Sequence, residues 1–145
     1  MKIIRASEEH LDLTATLFNA YRIFYKQKSN YYAARHFIQE RLENNESVIF
    51  LAFDNETAVG LMQLYPFFSS VSMQRTWILN DLYVDEKSRR KGVAELLINV
   101  AKEFALESNS KWLLLQTASD NIPAQHLYEK TGWQKETDIF YRYDL

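Results

Sequence analysis

The sequence predicts an α/β (α+β) fold over residues 1–145 as one domain, with a central mixed sheet and helices on both faces. Two patterns carry that prediction. Short apolar runs alternate with longer stretches at helical spacing, in the order β, α, α, β, β, β, α, β, α, β. Several of the runs are apolar without interruption, the mark of a strand buried on both sides, so helices must cover both faces of the sheet. A chain of 145 residues with 47% hydrophobic content has the size of one ordinary domain and enough apolar surface for its core.

The elements follow from local signals. Lys2–Ala6 is a short apolar strand, and Ser7 followed by Glu8 and Glu9 reads as a capped helix start. That helix carries Leu11, Thr14, Leu17, Phe18, Tyr21 and Phe24 at helical spacing. A second helix over Ala33–Glu43 places Ala34, Phe37, Ile38 and Leu42 on one side. Ser47–Asp54 is a buried strand, Asn55 and Glu56 form a hairpin tip, and Thr57–Phe68 is the returning strand. Thr76–Val84 follows, apolar on both faces except at Asn80 and Asp81. Gly92 opens a long helix to about Leu106, and Trp112–Ala118 is another buried strand. Pro123 suits the first turn of a helix ending near Gly132, and Thr137–Leu145 closes as a strand.

Composition narrows the function. Lys and Arg number 17 against 19 Asp and Glu, a formal charge of −2, so the chain is no polycation made to coat nucleic acid or anionic lipid. It contains no cysteine, which removes disulfides, thiolate nucleophiles and cysteine metal sites, and its 3 histidines are scattered, so no metal is expected. The first residues meet charge at once, and no apolar run approaches membrane-spanning length. A cytoplasmic protein without a membrane partner is the expectation.

One joint breaks the acidic average. Arg89, Arg90 and Lys91 crowd together before Gly92, Val93 and Ala94, where a strand meets a helix. The amino end of a helix offers unpaired N–H groups and a partial positive charge. Glycine admits close backbone approach, Ala94 keeps the next turn open, and the cations add full charge, which together suit a phosphate. A solvated basic turn is the plain alternative. The joint is neither a nucleotide P-loop nor a dinucleotide fingerprint, since Gly-Lys-Ser/Thr and GxGxxG are both absent.

The run Arg89-Arg90-Lys91-Gly92-Val93-Ala94 resembles the Arg/Gln-x-x-Gly-x-Gly/Ala signature of the GNAT family of N-acetyltransferases. Asn121, six residues before Leu127-Tyr128 and followed by Lys130-Thr131-Gly132-Trp133, resembles the family's second hallmark. The stretch Leu79–Gly92 is most similar to the branch with the diamine acetyltransferases and the yeast histone and polyamine acetyltransferases. The resemblance implies a mostly antiparallel sheet with splayed central strands, acetyl-CoA as co-substrate, and a primary amine as acceptor, with small polyamine-like amines ahead of protein lysine and amino acids. It places pyrophosphate on the backbone from Arg89 to Ala94 and the pantetheine arm along Leu82, Tyr83 and Val84. Homodimers are common in the family, and a homodimer is an expectation here too.

Individual residues carry two readings each. By its place in the second hallmark, Tyr128 resembles the tyrosine that protonates the departing thiolate; otherwise it is an aromatic on an amphipathic helix. Asn121 either bonds the cofactor arm or caps its helix. Asn80 and Asp81 mark the place for the bulge that parts the central strands, and Asp81 either finds internal hydrogen bonds or faces a wet cleft where it draws in a cationic acceptor. The diamine branch has a glutamate where Asn80 stands, so the base is left unassigned by resemblance. Tyr21, Phe24 and Tyr25 lie where the family shapes its acceptor site, or simply pack in the core. His126, two residues from Tyr128, belongs to another helix face. A catalytically silent acetyl-CoA sensor and a nucleic-acid binder using Lys87–Lys91 are the competing functions, the latter disfavoured by net acidity.

Overall fold

The computed structural model describes residues 1–145. Strand β1 (Lys2–Arg5) leads through a single 3₁₀ turn into α1 (Leu11–Phe24) and α2 (Tyr31–Glu43). Ser7 and His10 form a reciprocal capping pair at the turn, so the predicted start signal does act as a cap. The strands β2 (Val48–Asp54), β3 (Thr57–Ser69) and β4 (Gln74–Val84) follow as a meander, with Asn55 in the left-handed conformation at the first hairpin tip. Helix α3 (Val93–Glu107), strand β5 (Leu113–Leu114) and helix α4 (Ile122–Lys130) complete the regular structure.

The sheet order is β1-β2-β3-β4-β5, antiparallel throughout except for the parallel β4–β5 pair. Alternation in the strands divides the interior in two. One core joins Val93, Leu97, Ile98, Ala101 and Ala105 of α3 to Phe50, Met62, Leu64, Trp77 and Leu79. The other joins Leu11, Leu17, Phe18, Ala34 and Ile38 of α1 and α2 to Ile49, Leu51 and Leu61 on the opposite face. Helices cover both faces, as the uninterrupted apolar strands require. No helix is long and apolar enough to cross a membrane.

Two readings of the sequence fail at the far edge of the sheet. Only Leu113 and Leu114 of the expected strand Trp112–Ala118 pair with β4, at Trp77 and Ile78 respectively. The expected closing strand Thr137–Leu145 is not a strand: its backbone makes no hydrogen bond, and Ile139, Phe140, Tyr141 and Tyr143 stand exposed. The first shortfall begins where the bulge at Asn80 parts β4 from the segment beyond Leu114. The second shows that strand propensity measures fit to a paired neighbour and does not by itself make one.

Gly60 fixes how closely α3 lies on the sheet. A Cβ there would come within 3.1 Å of Ala52 Cβ and Val93 Cγ1 and 3.2 Å of Leu97 Cδ1. The first turn of α3 therefore rests on bare backbone opposite Val84. Gly60→Val should destabilise the fold by about 1–3 kcal/mol through overpacking, read as a lower urea midpoint at unchanged slope.

Candidate active site

The centre of the site is a fault in the β3–β4 ladder. Gln63 pairs with Asp81 but Leu64 pairs with Leu79, so Asn80 is an extra residue, and the bulge lies where the two polar residues interrupt the strand. The side chains consequently part: Asn80 is exposed, while Asp81 is only 3% exposed and turns inward toward α1. Its Oδ2 accepts from Gln63 Nε2, its Oδ1 accepts from Asn80 Nδ2 at 3.1 Å, and Gln63 Oε1 accepts from Ser47 Oγ at 2.7 Å. Of the two readings of Asp81, internal hydrogen bonding is what the geometry displays. These donors favour the ionised form, but burial outweighs them and holds the carboxyl above its ordinary range.

Aromatic residues roof this carboxyl. The Tyr21 hydroxyl donates to the Asn80 carbonyl at 3.4 Å and also faces Asp81. Burial, then the Asp81 charge, pushes the Tyr21 phenol well above its usual pKa, and burial with Asp81 pushes Tyr65 up to about 12. Tyr25 stacks edge-on against Tyr21 at 4.9 Å and against Phe24 at 5.3 Å. Tyr128 approaches from α4: its phenol is raised first by burial and then by Tyr25, and Tyr21 feels Tyr128 in turn. The Tyr128 ring lies 6.1 Å from that of Trp133, and its hydroxyl has no protein partner. Thus Tyr21, Tyr25, Asp81 and Tyr128, drawn from three elements, converge on one place.

Beside them β4 has a free edge. Because β5 reaches only Trp77 and Ile78, no strand pairs with the other edge of Leu82, Tyr83 and Val84, which on their first side pair with Met62, Leu61 and Gly60. The edge leads to the joint at α3. Gly92 has φ +78° as the N-terminal cap, and Arg90 has φ +61°, a conformation that disfavours side chains and gathers at functional loops. The amides of residues 90–95 have no acceptor in the protein, whereas that of Arg89 donates to the Glu86 carbonyl at 3.3 Å. Lys91, Arg90 and Arg89 form no ion pair. Glu95, the acid of the first turn, is held by Lys130 at 2.9 Å, which tethers α4 to α3.

Not every expected residue faces this cleft in the expected way. The Arg89 guanidinium folds back, its Nε donating to the Val84 carbonyl at 3.0 Å and its plane over Phe24 and Tyr83, 5.2 and 5.8 Å from the ring centres. It braces the end of α1 against β4. Asn121 caps α4, accepting from the Ala124 amide at 3.3 Å, so its carbonyl oxygen is engaged within the helix start. His126 is exposed on another face. Gln63, the partner of Asp81, and Ser47, the partner of Gln63, were not read as site residues, although a glutamine inside an apolar strand was a visible signal of a buried polar partner.

The arrangement offers an anion seat at a helix start, an open strand edge leading from it, and a roofed carboxyl with a phenol at the far end. Residues 12–133 match the acetyltransferase (GNAT) family. An uncharacterized N-acetyltransferase of Bacillus subtilis is 45% identical over 137 residues, 94% of this chain and 92% of its own. A probable acetyltransferase of Haemophilus influenzae is 35% identical over 121 residues, 83% of each chain. A solved structure described as a probable acetyltransferase superposes with a TM-score of 0.92 at 44% identity, covering 100% of this chain and 97% of that one. With the family matched across most of its length and relatives this similar, the chain belongs to the acetyltransferase (GNAT) family and is an acyltransferase enzyme.

Proposed function

We propose that the enzyme transfers acetyl from acetyl-CoA directly to the nitrogen of a primary amine. The observation that carries this reading is the row of unpartnered amides at residues 90–95, continuous with the free edge of β4. The amides and the side chains of Arg90 and Lys91 suit a pyrophosphate, and Val93 and Ala94 keep the seat shallow. Leu82, Tyr83 and Val84 suit the amide groups of a pantetheine arm, which would add as a strand beside β4. Asn121 retains its side-chain NH₂ for the same arm.

The reaction divides between two ends of the cleft. Acetyl-CoA supplies a thioester carbonyl; the amine nitrogen attacks it, a C–N bond forms, the C–S bond breaks, and sulfur leaves with the electron pair. Tyr128 gives that sulfur a proton, and burial suits it by keeping the phenol protonated at neutral pH. A lysine-like amine has pKa of roughly 10.4 and must lose a proton before attack. The negative charge of Asp81 draws in the ammonium, and the proton passes to Asp81 through the Tyr21 hydroxyl, because the carboxylate's own oxygens are covered by Gln63 and Asn80. No thiol exists for a covalent acetyl intermediate on cysteine.

A small polyamine-like amine is the favoured acceptor, with protein lysine and amino acids following. Asp81 supplies a negative end and Tyr25 an exposed aromatic face for a second ammonium. Phe24 is less suited, since Arg89 already lies over it.

If the α3 joint holds pyrophosphate, acetyl-CoA at a hundredfold excess over its Kd should stabilise the fold by about 2.7 kcal/mol, seen as a higher Tm. Gly92→Glu adds bulk and negative charge at φ +78° and should abolish that shift; an undiminished shift in the variant defeats the reading. Tyr128→Phe should keep the acetyl-CoA shift while turnover with a good acceptor falls roughly hundredfold or more, and equal turnover would make the residue a packing aromatic.

The pH profile tests Asp81. Only the ionised carboxylate draws in an ammonium, so kcat/KM should fall as pH drops through a pKa above the usual carboxylate range. Asp81→Asn should flatten that acid limb and raise KM for a polyamine more than for a neutral amine. A variant with unaltered pH dependence and discrimination would confine Asp81 to holding the bulge.

A further inference from the structure

Behind the cleft, three polar side chains form a row across the sheet. Ser47, just before β2, donates from Oγ to Gln63 Oε1 at 2.7 Å, and Gln63 Nε2 on β3 donates to Asp81 Oδ2 on β4. The three are 8%, 0% and 3% exposed. Apolar side chains of the same shape would fill such positions with little loss of stability or none, so stability alone does not account for the row.

The direction of the hydrogen bonds supplies a reason. A glutamine amide has one donor end and one acceptor end, and a carboxylate can only accept, whereas a protonated carboxyl has a hydrogen to give. The NH₂ end turned toward Asp81 therefore favours the charged form; the carbonyl end would favour the protonated one. Ser47 satisfies Oε1, which lets the amide keep its NH₂ toward the carboxyl. Without that hydroxyl the amide gains by turning over and accepting from a protonated Asp81.

The remaining surroundings leave this task to the neutral donors. Asn80 Nδ2 donates to Oδ1 at 3.1 Å, and the titratable groups that face Asp81 are the phenols of Tyr21 on α1 and Tyr65 on β3. Tyr25 and Tyr128 lie beyond Tyr21; Arg41 and Glu46, beyond Tyr65, pair with each other at 3.4 Å. No Lys, Arg or His forms an ion pair with Asp81. Burial raises the carboxyl, and of the donors that oppose it Gln63 acts most strongly, ahead of Asn80 and Tyr21.

We propose that Gln63, held in one orientation by Ser47, is a positioning residue of the transfer reaction: its NH₂ keeps Asp81 charged while a cationic acceptor arrives, yet leaves the carboxyl free to take the acceptor's proton. A cation in its place would hold Asp81 in the charged form, and an apolar residue would leave it protonated and unable to attract an ammonium. A neutral donor lies between the two. The inference rests on the reading of Asp81 as the group that attracts the ammonium and receives its proton.

The test follows the Asp81 side-chain carboxyl by NMR titration of the whole enzyme, assigned with Asp81→Asn, beside the pH profile of kcat/KM with a good amine acceptor. Gln63→Met keeps the bulk and removes the donor; the charged form is disfavoured, so the carboxyl should titrate at higher pH and the acid limb should move up with it. Below the midpoint of that limb, kcat/KM should fall roughly tenfold relative to its high-pH plateau. Ser47→Ala should move both readings in the same direction by less, and Ser47→Thr, which keeps the hydroxyl, should hold them at the parent values. Should Gln63→Met fail to fold, the two Ser47 variants carry the test. Variants that lose stability while the carboxyl and the acid limb keep their parent midpoints would overturn the proposal, because the row would then be structural. A carboxyl that moves while the acid limb stays in place would overturn it from the other side, by showing that Asp81 takes no part in the reaction.

Discussion

The extra residue at Asn80 governs the geometry of the site. By breaking the register between Gln63 and Leu64, it brings Asp81 onto the α1 face, where a carboxylate would otherwise be intolerable. The hydrogen bonds from Gln63 and Asn80 offset part of the desolvation, and Ser47 fixes the Gln63 amide so that its NH₂ is the end presented. The carboxyl still lies above its ordinary range, so the network leaves it ready to accept a proton instead of locking it in the charged form. The same fault falls just past the last residues that β5 reaches, and beyond it no strand pairs with the other edge of β4. One inserted residue thus accompanies both the buried charge and the open edge.

The anion seat depends on a second constraint, the distance between α3 and the sheet. Gly60 lets Val93 and Leu97 rest on β2 and β3, so the first turn of α3 is anchored in the core while Gly92 and the residues before it stay exposed. Anchoring matters because a row of amides binds an anion well only if it is held in place beforehand. Arg90 in the left-handed conformation shows the loop accepting local strain to turn its amides outward. Arg89 adds the link to the other end of the cleft. Its contact with Val84, Phe24 and Tyr83 couples the loop to α1, whose Tyr21 overlies Asp81.

Legibility in the sequence varied with the range of the signal. Ser7, Asn55, Gly92 and Pro123 marked their caps and turns because those conformations depend on neighbouring residues alone. Asn80 and Asp81 marked the bulge because two adjacent polar residues cannot both suit a strand covered on both faces. Which of them turns inward was not legible, since it follows from the register with β3. Gln63 and Ser47 escaped for a similar reason: their pairing spans 16 residues and has no local pattern. The segment 137–145 shows the reverse case, where the local pattern of a strand is clear but its backbone pairs with no neighbour.

Three phenols gather about the buried carboxyl in one cleft. Burial first, then the Asp81 charge and the neighbouring phenols, raises Tyr21, and burial first, then Tyr25, raises Tyr128. A negative charge beside either of these two phenols therefore favours its protonated form. The strand fault buries the Asp81 carboxyl beneath Tyr21, whereas the Tyr128 phenol approaches from α4 and has no competing hydrogen bond. The two ends of the cleft therefore differ in chemistry, one offering a raised carboxyl and the other a protonated phenol.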